Sequence, residues 1–404
     1  MKRDNNLAIK YVIPNSWMKY DISAVAKYLI EAKANILALT TTPFQRNWVE
    51  GLQEMQLKRE VAGTSRIEGA DFTEGELEVA LRQNATPEEL KTRSQRQAHS
   101  AVTTYRWIAS LQDDHPIDAS LIKEVHWRIV TNCDDDHCAP GVIRGADCNV
   151  TFGIPKHRGC DGGKMCIKAF DDLVSAINRE FRGHDPLIQA LALHYHFAAM
   201  HPFLDGNGRT ARALEALMLQ RADVTDRAFI AMSNYYYDEK DTYLRTLSQI
   251  REKNHDLTPF LIFGLRGITL QSGRLYSEIR RNMQVVLFRN MMYELFNRLD
   301  SPRKRVIKER QIELLKFLLE VETMDWHDLR RKMEPYYAKV ANSHRTIVRD
   351  VNGLIHLGAV AVNETSKGKY SMSARLQWPQ EITESDFFTK VNMLPKGKTH
   401  SFLR

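Results

Sequence analysis

Apolar side chains recur at helical spacing along most of the 404-residue chain, and this periodicity restricts the fold to a mainly α-helical one. The clearest run covers residues 187–199 and follows Asp185-Pro186, a helix start with proline at the first helical position. Longer periodic runs over residues 261–276 and 282–299 predict two further helices. We therefore expect a helical protein with only small β elements.

Two short segments have the residue spacing of a helix start. Thr73 is followed three residues later by Glu76, and Thr86 by Glu89, with Pro87 in the second segment. A Thr paired with Glu at this distance forms a capping box, so each segment predicts the first turn of a helix.

One region departs from the helical pattern. Residues 140–144 and 149–153 hold short β-branched runs between glycines, which predicts a small β-hairpin. Because helices are predicted on both sides of it, the hairpin is expected to be an appendage of a helical core.

A strongly charged stretch at residues 303–309 indicates a domain boundary. Beyond it, three helical segments precede two strand-like segments, an order that resembles a winged-helix domain. The predicted helices are 312–319, 325–332 and 343–357, and the predicted strands are 359–362 and 369–372. The predicted division is an N-terminal helical region at 1–95, a core at 96–255, a helical connector at 256–303, the winged-helix-like domain at 304–378 and a partly disordered tail at 379–404.

Composition narrows the classes of ligand and of location. Lys plus Arg number 57 and Asp plus Glu 50, and this excess of +7 suits an anionic ligand such as a nucleotide without requiring nucleic acid. No window approaches the ~18 consecutive apolar residues of a membrane span. The charged residues 1–6 are not followed by the apolar segment of a secretory signal, so we expect a cytoplasmic protein with no membrane segment.

All five cysteines lie in one short segment, which also holds His137 and His157. They are Cys133, Cys138, Cys148, Cys160 and Cys166. The odd number in a large chain that is not expected to be exported argues against a disulfide framework. The spacing matches no zinc pattern with a paired C-x-x-C, so reduced thiols in a loop are favoured over a metal site.

The segment 201–212 reads HPFLDGNGRTAR and contains a glycine-rich loop that leads directly into a predicted helix. The first amides of a helix have no partner within it and carry the positive end of the helix dipole. Glycines let the backbone of such a loop approach an anion closely. The segment therefore predicts a cradle for phosphate.

Four ionisable side chains accompany this cradle. Arg209 and Arg212 are three residues apart, share one helical face and can bind two phosphate groups. Asp205 offers oxygen ligands for Mg²⁺ on those phosphates. The imidazole of His201 titrates near neutrality, which suits a base that accepts a proton from a hydroxyl.

These residues carry a resemblance to the Fic-domain family. The segment matches the family signature H-P-F-x-[DE]-G-N-[GK]-R-x-x-R at every specified position, and the wider likeness covers about residues 60–250. The resemblance implies an α-helical enzyme that transfers AMP from ATP to a Ser, Thr or Tyr hydroxyl of a target protein. It implies that His201 deprotonates the hydroxyl and that Asp205 binds Mg²⁺. The amides around Gly206, Asn207 and Gly208 would bind the α-phosphate. Arg209 would bind the β-side phosphates and Arg212 the γ-phosphate.

In this family, a hairpin upstream of the signature is a flap that pairs with an extended target segment by strand addition. Ile143-Arg144 and the flap segment Val150-Thr151-Phe152-Gly153 match its general shape. Of the proline pair often found after the flap, only Pro155 is present, so target selection is expected to be unusual.

Residues 64–69, TSRIEG, resemble the family's inhibitory motif [ST]-x-x-x-E-[GN]. A helical stretch at residues 52–61 precedes the motif and could present Glu68 to the site. A carboxylate paired with Arg212 would occupy the place of the γ-phosphate and leave ATP in an unproductive pose. The resemblance therefore implies autoinhibition by Glu68, and it leaves open whether Glu68 also supports removal of AMP.

Two further regions allow two interpretations each. Tyr236 and Tyr237 fall where the family often contacts adenine, but packing in the core explains them equally well. In the winged-helix-like domain, Arg345 and Arg349 lie four residues apart, as on a DNA-recognition helix, while Asp350 reduces the positive charge. A protein-contact module fits the same pattern, so DNA binding is left open.

The leading hypothesis is a self-inhibited protein adenylyltransferase whose partners are ATP and a target protein bound along the flap, with self-modification and a homodimer left open. One alternative uses the same site with another donor, such as UTP or CDP-choline, although Arg212 and Glu68 favour a triphosphate. The other is a DNA-binding regulator with a vestigial Fic core. The intact signature argues against this second alternative.

Overall fold

Helices form most of the protein in the computed structural model, so the predicted mainly α-helical class is confirmed. The structure describes residues 9–42, 46–82, 84–86, 88–112, 114–133, 138–153, 156–224, 230–299, 302–338, 342–366, 368–394, 400 and 402–403. Its contacts divide the chain into two units, residues 1–276 and 277–404. The charged stretch 303–309, where the sequence predicted a domain boundary, lies within a helix.

Ten helices belong to the described part of the first unit, and an eleventh begins there. They are α1 Ile22–Thr41, α2 Arg46–Ile67, α3 Glu74–Leu81, α4 Arg93–Ala109, α5 Ala119–Val130, α6 Lys164–Asn178, α7 Pro186–Met200, α8 Asn207–Leu219, α9 Met232–Asp238, α10 Lys240–Glu252 and α11 Thr258–Asn297. A short 3₁₀ turn at Phe181–Gly183 and a π-helical turn at Gln220–Val224 complete the helical elements of this unit.

The helices α7 and α8 lie in the core of the first unit. In α7, 13 of 15 residues are buried, which fits a helix with apolar side chains on every face. In α8, 12 of 13 residues are buried even though the helix carries Arg209, Arg212 and Glu215. These three charged side chains must therefore find partners inside the protein.

The predicted helix starts at Thr73 and Asp185 are confirmed. Thr73 and Glu76 form both hydrogen bonds of a capping box at the start of α3. The Asp185 carboxylate accepts a hydrogen bond from the N–H of Leu187 at 3.0 Å, and Pro186 is the first residue of α7.

The helix start predicted at Thr86 is wrong. Thr86 N–H does donate to Glu89 Oε2 at 2.8 Å, but residues 88–89 form only a turn, and Pro87 lies outside the described residues. The reason is a second N-cap shortly afterwards, since Thr92 forms a capping box of its own and begins α4.

The two helices predicted over residues 261–276 and 282–299 are one continuous helix of 40 residues, α11. The sequence between Gly273 and Pro302 contains neither glycine nor proline, so nothing interrupts the backbone hydrogen bonds where a break was expected.

The predicted hairpin exists, but its strands are displaced along the chain. Strand β2, Thr151–Phe152, pairs antiparallel with β3, His157–Arg158, and β3 pairs in parallel with β1, Ile9–Lys10. The predicted first arm at residues 140–144 forms no strand, because the backbone of Arg144 bonds Pro202 O and Gly163 N instead. Pro155 lies outside the described residues.

The second unit contains the predicted C-terminal elements in their predicted order. Its remaining helices and strands are α12 Pro302–Val321, β4 Met324–Asp325, α13 Trp326–Tyr337, α14 Ser343–Leu357, β5 Val360–Ser366, β6 Lys369–Ala374, α15 Trp378–Glu381 and α16 Glu384–Asn392. The three strands form an antiparallel sheet of order β4-β6-β5.

A helix forms in the described part of the tail after residue 379, where the sequence had little pattern. Helix α16 follows a capping box formed by Thr383 and Asp386, and Phe387 is buried against Phe296. Aromatic side chains in the tail therefore add to the core of the second unit.

All five cysteines are free thiols. Within the described residues, no group of three or more His, Cys, Asp and Glu side chains could hold a metal ion, and His137 lies outside them. No helix in the same part of the chain is both long and apolar enough to cross a membrane.

Candidate active site

His201 ends α7 in the left-handed conformation, with φ of 53°. Its Nδ1 lies 2.8 Å from the carbonyl oxygen of Ala198. A carbonyl can only accept, so Nδ1 carries the proton and Nε2 keeps its lone pair. Burial, together with the charges of Arg251 and Arg144, lowers the pKa of His201 to about 4 despite the bond to Ala198. The imidazole is therefore neutral and able to accept a proton at physiological pH.

The loop that follows His201 is held by bonds to its own backbone. Asn207 accepts the N–H of Phe203 and donates to the Phe203 carbonyl, both at 2.9 Å. Gly206 has φ of +73°, and a Cβ there would lie 2.5 Å from Cγ1 of Val130. Only glycine therefore fits this position without a shift of the neighbouring helix.

His126 fixes the loop from α5. The N–H of Gly141 donates to its Nδ1 at 2.9 Å, so Nε2 carries the proton and donates to the carbonyl of Asp205 at 2.9 Å. The imidazole also stacks on Phe203, with 3.7 Å between ring centroids. This histidine was not predicted from the sequence, because its partner lies 79 residues away.

Helix α8 begins immediately after Gly206, and no described side chain caps its N-terminus. Its first amides, at Asn207 and Gly208, are therefore suited to bind an anion. Asp205 is 36% exposed at this end and accepts the N–H of Gly206 at 2.6 Å through Oδ1. Arg209 is buried, with Nη2 3.7 Å from the same Oδ1. The predicted phosphate residues thus lie together.

Glu68 reaches the same end of α8 from the residue after α2. Its Oε1 accepts from Nη2 of Arg212 at 2.6 Å, and a Cβ on Gly208 would lie only 2.5 Å from that oxygen. Arg212 also donates from Nε to Oγ1 of Thr64 at 2.8 Å. Thr64 is the first residue of the motif TSRIEG, so both ends of the motif contact one arginine.

The pair Glu68–Arg212 is an ion pair with one buried partner. The Arg212 side chain is 2% exposed and that of Glu68 is 38% exposed. Burial would raise the pKa of Glu68, but the charge and hydrogen bond of Arg212 outweigh it and hold the pKa below its usual value. Burial alone would lower the pKa of Arg212, but the charge and hydrogen bond of Glu68 outweigh this effect and raise the pKa. Both groups are therefore ionised at neutral pH.

The two tyrosines proposed to contact adenine lie in different surroundings. Tyr236 is fully buried, stacks on Tyr243 at 4.7 Å and donates to Oε1 of Glu215 at 2.8 Å. Tyr237 is 38% exposed, and its ring centroid lies 5.8 Å from the guanidinium of Arg66. Of the two rings, that of Tyr237 is at the surface.

The flap segment brings an aromatic ring onto His201. The ring of Phe152 stacks on His201 with 3.7 Å between centroids and 11° between planes. The carbonyl of Val150 accepts from Gly159 at 3.0 Å, and Gly153 turns the chain with φ of +77°. Strand β2, which holds Thr151, is one of the two outer strands of its sheet.

Arg144 connects the flap region to the loop and was missed as a functional residue. It is 2% exposed and donates to three carbonyl oxygens, those of His201, Cys148 and Cys160, at 2.6–2.7 Å. From the sequence, Arg144 was predicted only to lie in a hairpin, and no pattern indicated its contact with His201, 57 residues away.

Mg²⁺ fits the residues at this end of α8. The ion commonly uses one or two carboxylates and takes its other ligands from water and phosphate. Asp205 provides one partly exposed carboxylate beside the helix N-terminus. A site built from protein ligands alone is not formed by the described residues.

Residues 116–219, which include the flap and the whole segment 201–212, match the Fic/DOC family. The chain is 32% identical over 112 residues to protein adenylyltransferase fic-1 of Caenorhabditis briggsae, a match that covers 28% of this chain and 21% of that protein. It is 34% identical over 160 residues to protein adenylyltransferase Fic of Nematostella vectensis, covering 39% and 33%. These matches span about a fifth to a third of each relative.

Solved structures share the fold. Fic-1 from C. elegans superposes with a TM-score of 0.52 at 21% identity, over 65% of this chain and 74% of that chain. A Fic family protein from Desulfovibrio desulfuricans superposes with a TM-score of 0.52 at 16% identity, over 90% and 99%. At these identities the likeness concerns the fold.

Proposed function

Because residues 116–219 form a Fic/DOC domain, we propose that the protein transfers AMP from ATP to a Ser, Thr or Tyr hydroxyl of a target protein. One observation carries the proposal: the unprotonated Nε2 of His201 belongs to the same loop as the open N-terminus of α8. A proton acceptor next to a phosphate-binding helix end is what attack of a hydroxyl on a phosphate requires.

The reaction follows from these groups. Nε2 of His201 takes the hydroxyl proton as the hydroxyl oxygen attacks the α-phosphorus. The bond from that phosphorus to the bridging oxygen breaks, and pyrophosphate leaves. The amides of Asn207 and Gly208 offset the negative charge on the α-phosphate, and Arg209 binds the leaving phosphates. Asp205 would hold Mg²⁺, which neutralises phosphate charge when bound.

The target is proposed to bind along β2. This strand lies at one edge of its sheet, so its outer edge can pair with an extended segment by backbone hydrogen bonds. Pairing there would present a hydroxyl near Phe152 and the His201 on which it stacks. Tyr237, the exposed tyrosine, is the candidate for stacking on adenine.

Glu68 is proposed to inhibit this reaction. Its carboxylate occupies the guanidinium of Arg212 and lies over Gly208, where the γ-phosphate and the cradle would otherwise meet. ATP would then lack its terminal contact and bind unproductively. Removal of AMP with help from Glu68 stays a second proposal for the same site, tested by incubating modified target with wild type and with Glu68→Gly.

Labelled ATP tests the proposal. The variant Glu68→Gly is incubated with candidate target protein and with α-labelled or, separately, γ-labelled ATP. We expect protein-bound label from the α position only, on the target and on the enzyme itself, and none with Glu68→Gly/His201→Ala. Label from the γ position would indicate a kinase and overturn the proposal. Competition by excess UTP or CDP-choline, measured in parallel, would indicate a different donor.

A second function, binding of nucleic acid, is favoured by the distribution of charge. Residues 277–404 contain 23 Lys and Arg against 15 Asp and Glu, an excess of +8, whereas residues 1–276 contain 34 against 35. The +7 of the chain therefore resides in the second unit. Arg345 and Arg349 are exposed on α14, whose place after α12 and α13 and before two strands is that of a winged-helix recognition helix.

Retention on duplex DNA tests this second function. Wild type and Arg345→Gln/Arg349→Gln are compared at several salt concentrations, with Arg298→Gln/Arg375→Gln as a control of equal charge. Weaker binding and a smaller salt slope in the α14 variant alone would support the proposal. Equal loss in both variants would indicate attraction to any anion.

A further inference from the structure

Helix α10 places an arginine against the flap. The guanidinium carbon of Arg251 lies 4.4 Å from the ring centroid of Phe152, close enough for a cation–π interaction. The ring of Phe152 in turn stacks on the imidazole of His201 at 3.7 Å. One phenyl ring therefore contacts both the arginine and the base.

Arg251 also reaches the base through the backbone. Its Nη2 donates to the carbonyl of Ala198 at 3.5 Å, the upper limit of a hydrogen bond. The same carbonyl accepts the Nδ1–H of His201 at 2.8 Å. Arg251 thus touches the two groups that determine where the imidazole ring lies, one at its face and one at its edge.

A second residue of α10 holds the other strand of the flap. Ser248, one turn before Arg251, lies with Oγ 2.8 Å from Nε2 of His157. His157 is the residue of β3 that pairs with Phe152 of β2. Both strands of the flap are consequently fixed to one helix.

The guanidinium of Arg251 is held there at an energetic disadvantage. Its Nε and Nη1 are buried and have no hydrogen-bond partner among the described residues. Unpaired buried donors destabilise a fold. Burial lowers the pKa of Arg251 to about 10, so the side chain still carries its charge at neutral pH.

We propose that Arg251 is a positioning residue for the general base, holding Phe152 against His201 and so fixing the flap at the site of transfer. The inference rests on the proposed function for its catalytic meaning. Three charged groups bear on His201: Arg251 from α10 and Arg144 from the loop after α5, which disfavour a protonated imidazole, and Glu68 from the end of α2, which favours one. Arg251 therefore also helps keep the base neutral.

The test uses the full chain in the Glu68→Gly background. Arg251→Gln and Arg251→Lys are compared with Arg245→Gln, which removes an exposed arginine from the same helix. The measurements are the NMR titration of the His201 ring C–H signals, assigned with His201→Ala, and kcat and KM for AMP transfer. The ring signals report both the protonation of His201 and its stacking on Phe152.

For Arg251→Gln we expect the titration midpoint of His201 to rise by about one pH unit, because a positive charge nearby is removed. We expect kcat to fall about tenfold through loss of positioning, with KM for ATP unchanged within about twofold. Arg251→Lys should keep the midpoint near that of the parent and lose part of kcat. Arg245→Gln should change neither quantity.

An unchanged midpoint and unchanged ring shifts in a folded Arg251→Gln would overturn the proposal. If that variant does not fold, Phe152→Leu probes the same link from the flap, and it too must move the His201 ring signals. The NMR measurement needs no ATP. If the parent and every variant transfer no AMP, the proposed function fails, while the titration still decides whether Arg251 positions His201.

Discussion

The proposed nucleotide side of the site and its flap side are held in place by different kinds of contact. On the nucleotide side, the loop before α8 closes on itself through both hydrogen bonds between Asn207 and Phe203, four residues apart. On the flap side, β2 is only two residues long, and Phe152 is held by Arg251, 99 positions further along the chain.

This difference has a physical consequence. Closing a loop of a few residues costs little chain entropy, so the nucleotide loop is expected to keep its shape with or without ligand. The flap depends on one aromatic stack, one cation–π contact and a short strand pairing, which local opening can break. We therefore expect the nucleotide side to be rigid and the target side to be adjustable.

The largest loss of stability is expected on substitution of Arg144, which joins the two sides. Arg144→Gln removes a buried guanidinium that donates to the carbonyls of His201, Cys148 and Cys160. We expect the free energy of unfolding to fall by about 4 kcal/mol, at about 1–1.5 kcal/mol per lost bond. Urea unfolding measures it, with Arg245→Gln as an exposed control. A loss under about 1 kcal/mol would show that the two sides do not depend on this link.

A substitution confined to the nucleotide side should have the next largest effect. Gly206→Ala places a Cβ 2.5 Å from Val130 and forces alanine to φ of +73°. We expect a loss of about 3 kcal/mol from the combined clash and backbone strain. Gly69→Ala is the matched control, since Gly69 has φ of +88° but open space around it. Equal losses in the two variants would contradict the close packing assigned to the loop.

The flap side is expected to make the stability of the protein depend on pH. Burial, together with the charge of Arg251, lowers the pKa of His157 to about 4, below the ~6.5 of an exposed imidazole. The unfolded chain therefore binds a proton between about pH 6.5 and 4 that the folded protein does not, and stability falls as pH falls. His157→Gln should reduce that fall in urea midpoints. His196 and His201, whose pKa values burial lowers to about 3 and about 4, contribute in the same direction and keep part of the fall in both proteins. The buried Glu60, whose pKa burial raises to about 7, contributes with the opposite sign but equally in both proteins.

The smallest effect on stability is expected in the flap ring itself. Phe152→Leu keeps an apolar side chain at a partly exposed position, so we expect a loss of about 1 kcal/mol or less. Amide exchange at Thr151 should nevertheless become faster, because the stack on His201 is gone. Unchanged exchange in this variant would mean that the aromatic stack does not hold the flap.

The same distinction between near and distant contacts separates what the sequence predicted from what it did not. The proximity of His201, Asp205 and Arg209 could be predicted because these residues lie within the single segment 201–212. The contact of Glu68 with Arg212 could be predicted only because the motif TSRIEG resembles a known one. The roles of Arg144 and His126 depend on partners 57 and 79 residues away, which no spacing along the chain indicates.

Prediction of the fold from the sequence succeeded and failed for the same reason. Helices with an apolar face and a cap were predicted, and α14 matches its predicted bounds, Ser343–Leu357. The pairing of β2 with β3 was not, because strands of two residues carry no alternation of apolar and polar side chains. The break assumed within α11 failed because the periodic pattern weakened there while no residue that ends a helix was present.

Restraint of AMP transfer by Glu68 through Arg212 is proposed here, and single-turnover transfer from α-labelled ATP measures it. Wild type is compared with Glu68→Gly, Arg212→Ala and the double variant in a double-mutant cycle. We expect Glu68→Gly to be faster by about 10- to 100-fold, the equivalent of a charge-assisted hydrogen bond of ~1.5–3 kcal/mol. We also expect this gain to disappear when Arg212 is absent. Equal rates in wild type and Glu68→Gly, or the same gain without Arg212, would show that Glu68 does not act through Arg212.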